Sequence, residues 1–218
     1  VIARAAAWAS VVVLALAPSA LAADPSRPHG HRGVLAPFAE MPKPVVLSPA
    51  ERTAVERGDV LLREMAGRKD GRRQVVFTVE APPERVWAVI ANFAAFPRYI
   101  DEVKSAVVVE EGADGTVVAF TVSQAGVTLT YYVRHRYDAA QHEGTWTLDY
   151  SKESDLDDSI GYWRVTPLAG GTRSLVEHST HVALKTPLPG FLRDWIADNS
   201  LRGTGGWVRK HVTAAPKR

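Results

Sequence analysis

Six stretches of strand character follow one another at residues 103–110, 116–124, 127–137, 145–151, 159–166 and 173–184, and no long connection separates them. Turn residues mark the corners: Asp114-Gly115, Ala125-Gly126, Glu143-Gly144 and Gly170-Gly171. Connections this short cannot hold the crossover that parallel strands need, so neighbours must pair antiparallel as a meander. The third stretch shows what kind of sheet results. Val127, Leu129, Tyr131 and Val133 fall on one side, and Thr128, Thr130, Tyr132, Arg134 and Arg136 on the other. One face is therefore expected to be buried and the other wet.

The flanks supply what covers the buried face. Val75, Phe77 and Val79 alternate as a strand up to Ala81-Pro82-Pro83, where it must stop. Pro83 suits the first position of a helix, Glu84 favours its first turn, and Val86, Trp87, Ile90 and Phe93 recur at helical spacing. Phe96-Pro97 breaks that run before a second short helix with Tyr99. At the far end Pro187 and Pro189 close the sheet and launch a helix over about 189–212. Phe191, Leu192, Trp195, Ile196, Trp207 and Val208 form its apolar stripe, opposite Arg193, Asp194, Asp198 and Arg202, so it should lie across the sheet. Gly203, Gly205 and Gly206 each weaken it by about 1 kcal/mol relative to Ala. A hinge and close packing are both open readings of them. The order is β, α, α, six β and a long α, an α+β fold.

The N-terminal quarter reads differently. Arg4 precedes an uncharged stretch over 5–17 and then Ala20-Leu21-Ala22, the pattern of a secretory signal peptide spanning 1–22 and cut near Ala22. A membrane anchor needs about 20 apolar residues, and Pro18 and Ser19 interrupt this run. The expected location is periplasmic or secreted, with the mature chain soluble. Cysteine is absent, so stability must come from an ordinary core, and 46% hydrophobic residues suffice for one domain. Residues 23–47, rich in Pro, Gly and His, are expected to be a flexible arm. His29 and His31 on it have no third ligand nearby in sequence, so no metal site is assigned. Ser48-Pro49-Ala50-Glu51 is a capping box opening a helix to about Arg57, and Gly58 ends it. Residues 59–73 read as an early strand with a hairpin tip at Asp70-Gly71. The chain thus divides into the leader, the arm, an N-terminal helix and extension over 48–73, and a main domain over 74–213. With 26 Lys and Arg against 24 Asp and Glu, the charge is too balanced for a nucleic-acid footprint.

The run Val75-Val76-Phe77-Thr78-Val79-Glu80-Ala81-Pro82-Pro83-Glu84-Arg85-Val86-Trp87, then Phe96-Pro97-Arg98-Tyr99, resembles the opening of START-like (SRPBCC) domains. Gly161-Tyr162-Trp163-Arg164-Val165, Pro167, Gly171-Thr172-Arg173 and Pro187-Leu188-Pro189-Gly190-Phe191-Leu192 are similar to the late strands and final helix of the polyketide cyclase/dehydrase and coenzyme Q-binding branch. The resemblance covers about 74–212. It implies a helix-grip fold: a curved antiparallel β-sheet wrapped around a long C-terminal α-helix, two short helices after the first core strand, a cavity between sheet and helix, and no cofactor.

On that fold the alternation brings Phe120, Val122, Leu129, Tyr131, Val133, Trp146, Leu148, Tyr150, Trp163 and Val176 to the concave face, with Val118, Val127 and Val165 beside them. Phe191 and Trp195 face them from the helix. His135, His178 and Thr180 are polar residues of that face, and the two histidines are candidates to hold the polar end of an apolar ligand. Arg98 and Asp101 are placed at the mouth, and the acidic run over 153–158 reads as a solvated hairpin tip. Phosphate loops, His-x-x-x-His metal pairs and nucleophile elbows are absent. The function expected is an exported binding or transport protein for a lipid, quinone, sterol or polyketide-like molecule. Two alternatives stand beside it: an aromatase or cyclase using a pocket histidine and Tyr131, and an interaction module whose core is filled. The expected partner is a hydrophobic small molecule or lipid, with transient membrane-surface contact allowed and a monomeric chain.

Overall fold

A computed structural model describes residues 23–65, 72–124, 126–185 and 190–214; the side chains of 124, 190–199 and 214 lie outside the description. The leader, the Asp70-Gly71 tip and the prolines at 187 and 189 fall outside it.

Helix α1 (Pro49–Glu56) begins as its capping box requires: Ser48 Oγ accepts from the Glu51 amide at 3.3 Å, and Glu51 accepts from the Ser48 amide at 2.9 Å. Strand β1 (Leu61–Glu64) follows and pairs antiparallel with β2 (Arg73–Val79), so the N-terminal extension joins the same sheet as the main domain. After β2 come α2 (Pro83–Ile90), a single 3₁₀ turn at Phe93–Ala95 and the short α3 (Phe96–Tyr99). The meander then runs through β3 (Val103–Gly112), β4 (Gly115–Gln124), β5 (Val127–Asp138), β6 (Glu143–Leu148), β7 (Leu156–Leu168) and β8 (Arg173–Leu184). Helix α4 (Gly190–Ala214) closes the chain. The eight strands form one antiparallel sheet in the order β1-β2-β8-β7-β6-β5-β4-β3. Extra residues interrupt the ladders in β3 and at the start of β7, and such bulges bend strands.

The core lies between the sheet and its helices. Val75, Phe77 and Val79 of β2 pack with Val86 and Ile90 of α2, Leu201, Val208 and Val212 of α4, and Val118, Val133, Val165 and Val176 from the meander. Each such side chain, taken fully out of water, stabilises the fold by about 1.5–3 kcal/mol. At Gly205, α4 lies close against β2 and the residue before β1, since a Cβ there would stand 2.5 Å from Val60 Cγ2 and 3.5 Å from Phe77 Cγ. Close packing is therefore the reading that holds for Gly205, and α4 continues through all three glycines as one helix. Among the described residues no helix is long and apolar enough to cross a membrane.

Four expectations need correction. The corner between β5 and β6 is made at residues 139–142, with His142 at φ 52°, while Glu143 and Gly144 already belong to β6. Strand β6 ends at Leu148, so Tyr150 does not continue its alternation onto the concave face. The acidic run is not a solvated tip: Asp155 accepts from the Thr130 amide at 2.6 Å, and Asp158 is fully buried. The outer face is not simply wet. Residues 23–47 have neither helix nor strand, yet rather than standing free they lie against it, because buried acceptors there collect their amides. The amides of Val34 and Leu35 donate to Asp158 Oδ2 at 2.8 Å each, and that of Val45 donates to Glu177 Oε1 at 3.3 Å. Arg164 donates to the Pro42 carbonyl at 2.6 Å and faces Glu177 at 3.5 Å, and Phe38 packs edge-on against Tyr162.

Candidate functional site

The space between sheet and α4 is not filled. It holds a cavity of about 590 Å³, and each wall is traceable to an element. Strand β4 contributes Phe120 and Val122, β5 contributes Tyr131, Val133, His135 and Tyr137, β6 contributes Trp146, β7 contributes Ser159 and Trp163, and β8 contributes His178, Thr180 and Val182. These positions alternate along their strands, and the register aligns them across the sheet: Phe120 opposite Tyr131, His135 opposite Trp146, Trp163 opposite His178. Gly161, opposite Trp146, has no side chain where the Trp146 indole lies across the sheet; a Cβ there would collide with that ring and with the Ser179 carbonyl.

The lid is α3 and one face of α4. Phe96 and Tyr99 come from α3, and Ser200, Gly203, Thr204, Gly206, Trp207 and Lys210 from α4. Nothing lies within 4 Å of where a Cβ would stand on Gly203 or Gly206. These two glycines, exposed where Gly205 is buried, border the cavity with open space beside them. Trp207 stacks on Tyr99 at 6.1 Å and meets Trp163 edge-on at 6.1 Å, joining lid to wall. Arg98, Asp101, Glu102 and Lys210, all exposed, form the charged mouth.

Of the residues expected to hold a ligand, Phe120, Val122, Tyr131, Val133, His135, Trp146, Trp163 and His178 line this cavity. Leu129 is half-buried beyond its end, while Leu148 and Val176 are buried away from it. Tyr150 sits on the opposite face of the sheet, its hydroxyl donating to Asp158 at 2.8 Å. The side chains of Phe191 and Trp195 lie outside the described residues. Tyr137 is a lining residue that the pattern reading left out, although it continues the alternation of Tyr131, Val133 and His135 by one step. Phe96 could be found only from tertiary packing.

The two histidines differ in their partners. His178 stacks on Trp163 with ring centroids 3.7 Å apart, and its Nδ1 contacts the Tyr162 carbonyl at 3.1 Å. His135 sits among the rings of Phe93, Tyr137, Trp146 and Phe120 at 4.5, 5.0, 5.8 and 6.2 Å. Among the described residues neither nitrogen of its imidazole has a hydrogen-bond partner. Burial pushes both histidines down to about 3, so both are neutral across the physiological range. Burial likewise pushes the phenols of Tyr131 and Tyr137 well above their ordinary range.

Over residues 79–204 the chain matches the family described as polyketide cyclase / dehydrase and lipid transport. The chain belongs to that family. Its fold is the START-like helix grip, an eight-stranded antiparallel sheet with the C-terminal helix packed against it. Among solved structures, the Thermus thermophilus protein TTHA0849 is 20% identical with a TM-score of 0.57, over 66% of this chain and 98% of that one. A START superfamily protein from Mycobacterium smegmatis is 19% identical with a TM-score of 0.57, over 65% of this chain and 96% of that one. The di-domain ARO/CYC protein BexL from the BE-7585A biosynthetic pathway is 19% identical with a TM-score of 0.52, over 65% of this chain and 46% of that one. At these identities the likeness is one of fold. No curated protein matches the chain in sequence. For a polyketide cyclase / dehydrase and lipid transport family member, the coarse implication is an apolar small-molecule ligand.

Proposed function

We propose that this chain is an exported carrier that holds a hydrophobic molecule with a neutral polar end, gripped by His135. The observation behind this reading is an imidazole in the wall of an aromatic cavity with no hydrogen-bond partner among the described residues. A buried polar group without a partner costs about 1–3 kcal/mol, and a ligand oxygen can remove that cost. A neutral imidazole offers one donor and one acceptor, which suits a hydroxyl, ketone or quinone oxygen. Among the described residues the charged side chains of the cavity stand at its mouth, so a carboxylate or ammonium end meets no counter-charge from them deep inside. Within the set of lipid, quinone, sterol and polyketide-like molecules, the chemistry therefore favours quinone-, sterol- and polyketide-like ones over free fatty acids. The same neutrality argues against the cyclase alternative, because an imidazole near 3 and phenols raised by burial are poor acid–base partners at neutral pH.

Native mass spectrometry of the protein purified from its own cell-envelope fraction, followed by organic extraction, tests the reading. One apolar molecule per chain, carrying a neutral oxygen function, is the expected result, and a turnover assay on that molecule separates carrier from enzyme. An empty protein that takes up no quinone, sterol or polyketide from a panel would overturn it. Export is tested by fractionation and N-terminal sequencing, with a mature N-terminus near Ala23 expected and an uncleaved cytoplasmic chain excluding it.

A further inference from the structure

On the face of the sheet opposite the cavity, the arm brings His29 and His31 against Asp157, and a donor atom of each lies within 4.8 Å of the others. The third ligand that the sequence withheld comes from a residue more than a hundred positions away. We infer that these three residues form a binding site for a borderline divalent transition-metal ion, of the zinc or nickel class.

The strand makes Asp157 available. The register of β7 against β8 slips between Leu156 and Asp158, so Asp157 has no partner in that ladder. Its carbonyl oxygen contacts His29 Nε2 at 3.0 Å, and its carboxylate Oδ1 accepts from His31 Nε2 at 2.7 Å. The two imidazoles meet edge-on with centroids 4.7 Å apart. His29 is only 7% exposed, and its Nδ1 has no hydrogen-bond partner among the described residues. With Nε2–H directed at a backbone carbonyl, Nδ1 keeps a lone pair that no described group uses, and an imidazole so held by a carbonyl is the kind that binds metal through its other nitrogen. The His31 and Asp157 side chains are 35% and 31% exposed, which leaves one side open for water to complete the coordination.

The donor set decides the metal. Two imidazoles and one carboxylate suit zinc, nickel or copper and are poor for calcium or magnesium, which take oxygen. A metal about 2.0–2.2 Å from each donor needs donor separations of about 3–3.5 Å, so the cluster must close by about 1 Å. The Gly33 amide donates to His31 Nδ1 at 3.0 Å, which places the proton of the neutral ring on Nε2. Coordination through Nε2 puts the metal where that proton is; the proton passes to Nδ1, and the Gly33 contact opens. The bound ion clasps the arm to the sheet. None of these residues lines the cavity, so the carrier reading and this one stand or fall separately.

Isothermal titration of the chelator-treated full chain with Zn²⁺ and Ni²⁺ tests the site, alongside His29→Ala, His31→Ala and Asp157→Asn, with folding checked by circular dichroism. One ion per chain is expected, with affinity weakened at least about 10-fold by each substitution and a metal-dependent rise in Tm seen only in the unsubstituted protein. No binding, or binding of equal affinity in the substituted chains, would overturn the proposal; the latter would assign the ion to other histidines such as His142 or His181. Proteolysis gives a second reading that survives poor folding of one variant. Zn²⁺ should slow cleavage within residues 23–47 in the unsubstituted chain, and an unchanged cleavage rate counts against the clasp.

Discussion

The ring of His135 lies 4.5 Å from the ring of Phe93, tilted by 32°, with both imidazole nitrogens unpartnered among the described residues. Strand β5 and the turn after α2 thus enclose a polar group in an aromatic box that does nothing to satisfy it. Such a group destabilises the empty protein and offers a ligand an unmet hydrogen bond. In His135→Phe the ring volume is kept and the orphan atoms are lost. The variant should unfold at higher denaturant, by about 1 kcal/mol, while binding the extracted ligand about 10- to 100-fold more weakly. Unchanged affinity in a stable variant would remove His135 from the site.

Acid should expose the same histidines. Free imidazole titrates near 6.5, and burial holds His135 and His178 at about 3, so between those values the unfolded chain binds the extra protons. Stability is therefore unaffected by them above about pH 6.5 and is lost as pH falls toward 3, by about 1.4 kcal/mol per pH unit for each. Glu177 acts in the opposite sense, since burial raises its carboxyl, and so the difference between the unsubstituted protein and His135→Phe is the informative quantity. The stability advantage of His135→Phe, read from denaturant midpoints, should widen as pH falls from 7 to 4. A gap that does not change with pH would contradict a neutral buried His135.

The α4 glycines separate packing from access. Gly206 is exposed at the edge of the cavity with no atom within 4 Å of an added Cβ, so Gly206→Leu should narrow the entrance, gain about 1 kcal/mol of helix propensity and weaken ligand uptake. Gly205→Ala drives its Cβ to 2.5 Å from Val60 Cγ2 and should cost about 1–3 kcal/mol while leaving the cavity open. Thermal unfolding combined with ligand titration distinguishes the pair. Normal uptake by a folded Gly206→Leu protein would place the entrance elsewhere.

Asp158 holds the arm. Its carboxylate accepts from Val34, Leu35, Ser159 and the Tyr150 hydroxyl, each at 2.8 Å. Asp158→Ala strands those donors and should cost more than about 2 kcal/mol in chemical unfolding, with new proteolytic cleavage within residues 23–47. Resistance of the arm equal to that of the unsubstituted chain would show that other contacts secure it.

The order of elements and the antiparallel meander were legible in the chain itself, because alternation with a period of two and the punctuation of Gly and Pro are local properties of the backbone. Eight of the expected ligand residues follow from that alternation alone, from Phe120 to His178. Tyr150 broke the pattern because β6 ends two residues earlier, where the chain turns to the outer face. Only the tertiary structure decided which of three neighbouring glycines packs and which two leave space, that His135 has no hydrogen-bond partner among the described residues, and that Asp157 meets His29 and His31. The physical reason is the same in each case. A local pattern specifies which side of a strand or helix a residue occupies, but its burial, its hydrogen bonds and its charge state depend on groups that arrive from remote parts of the chain.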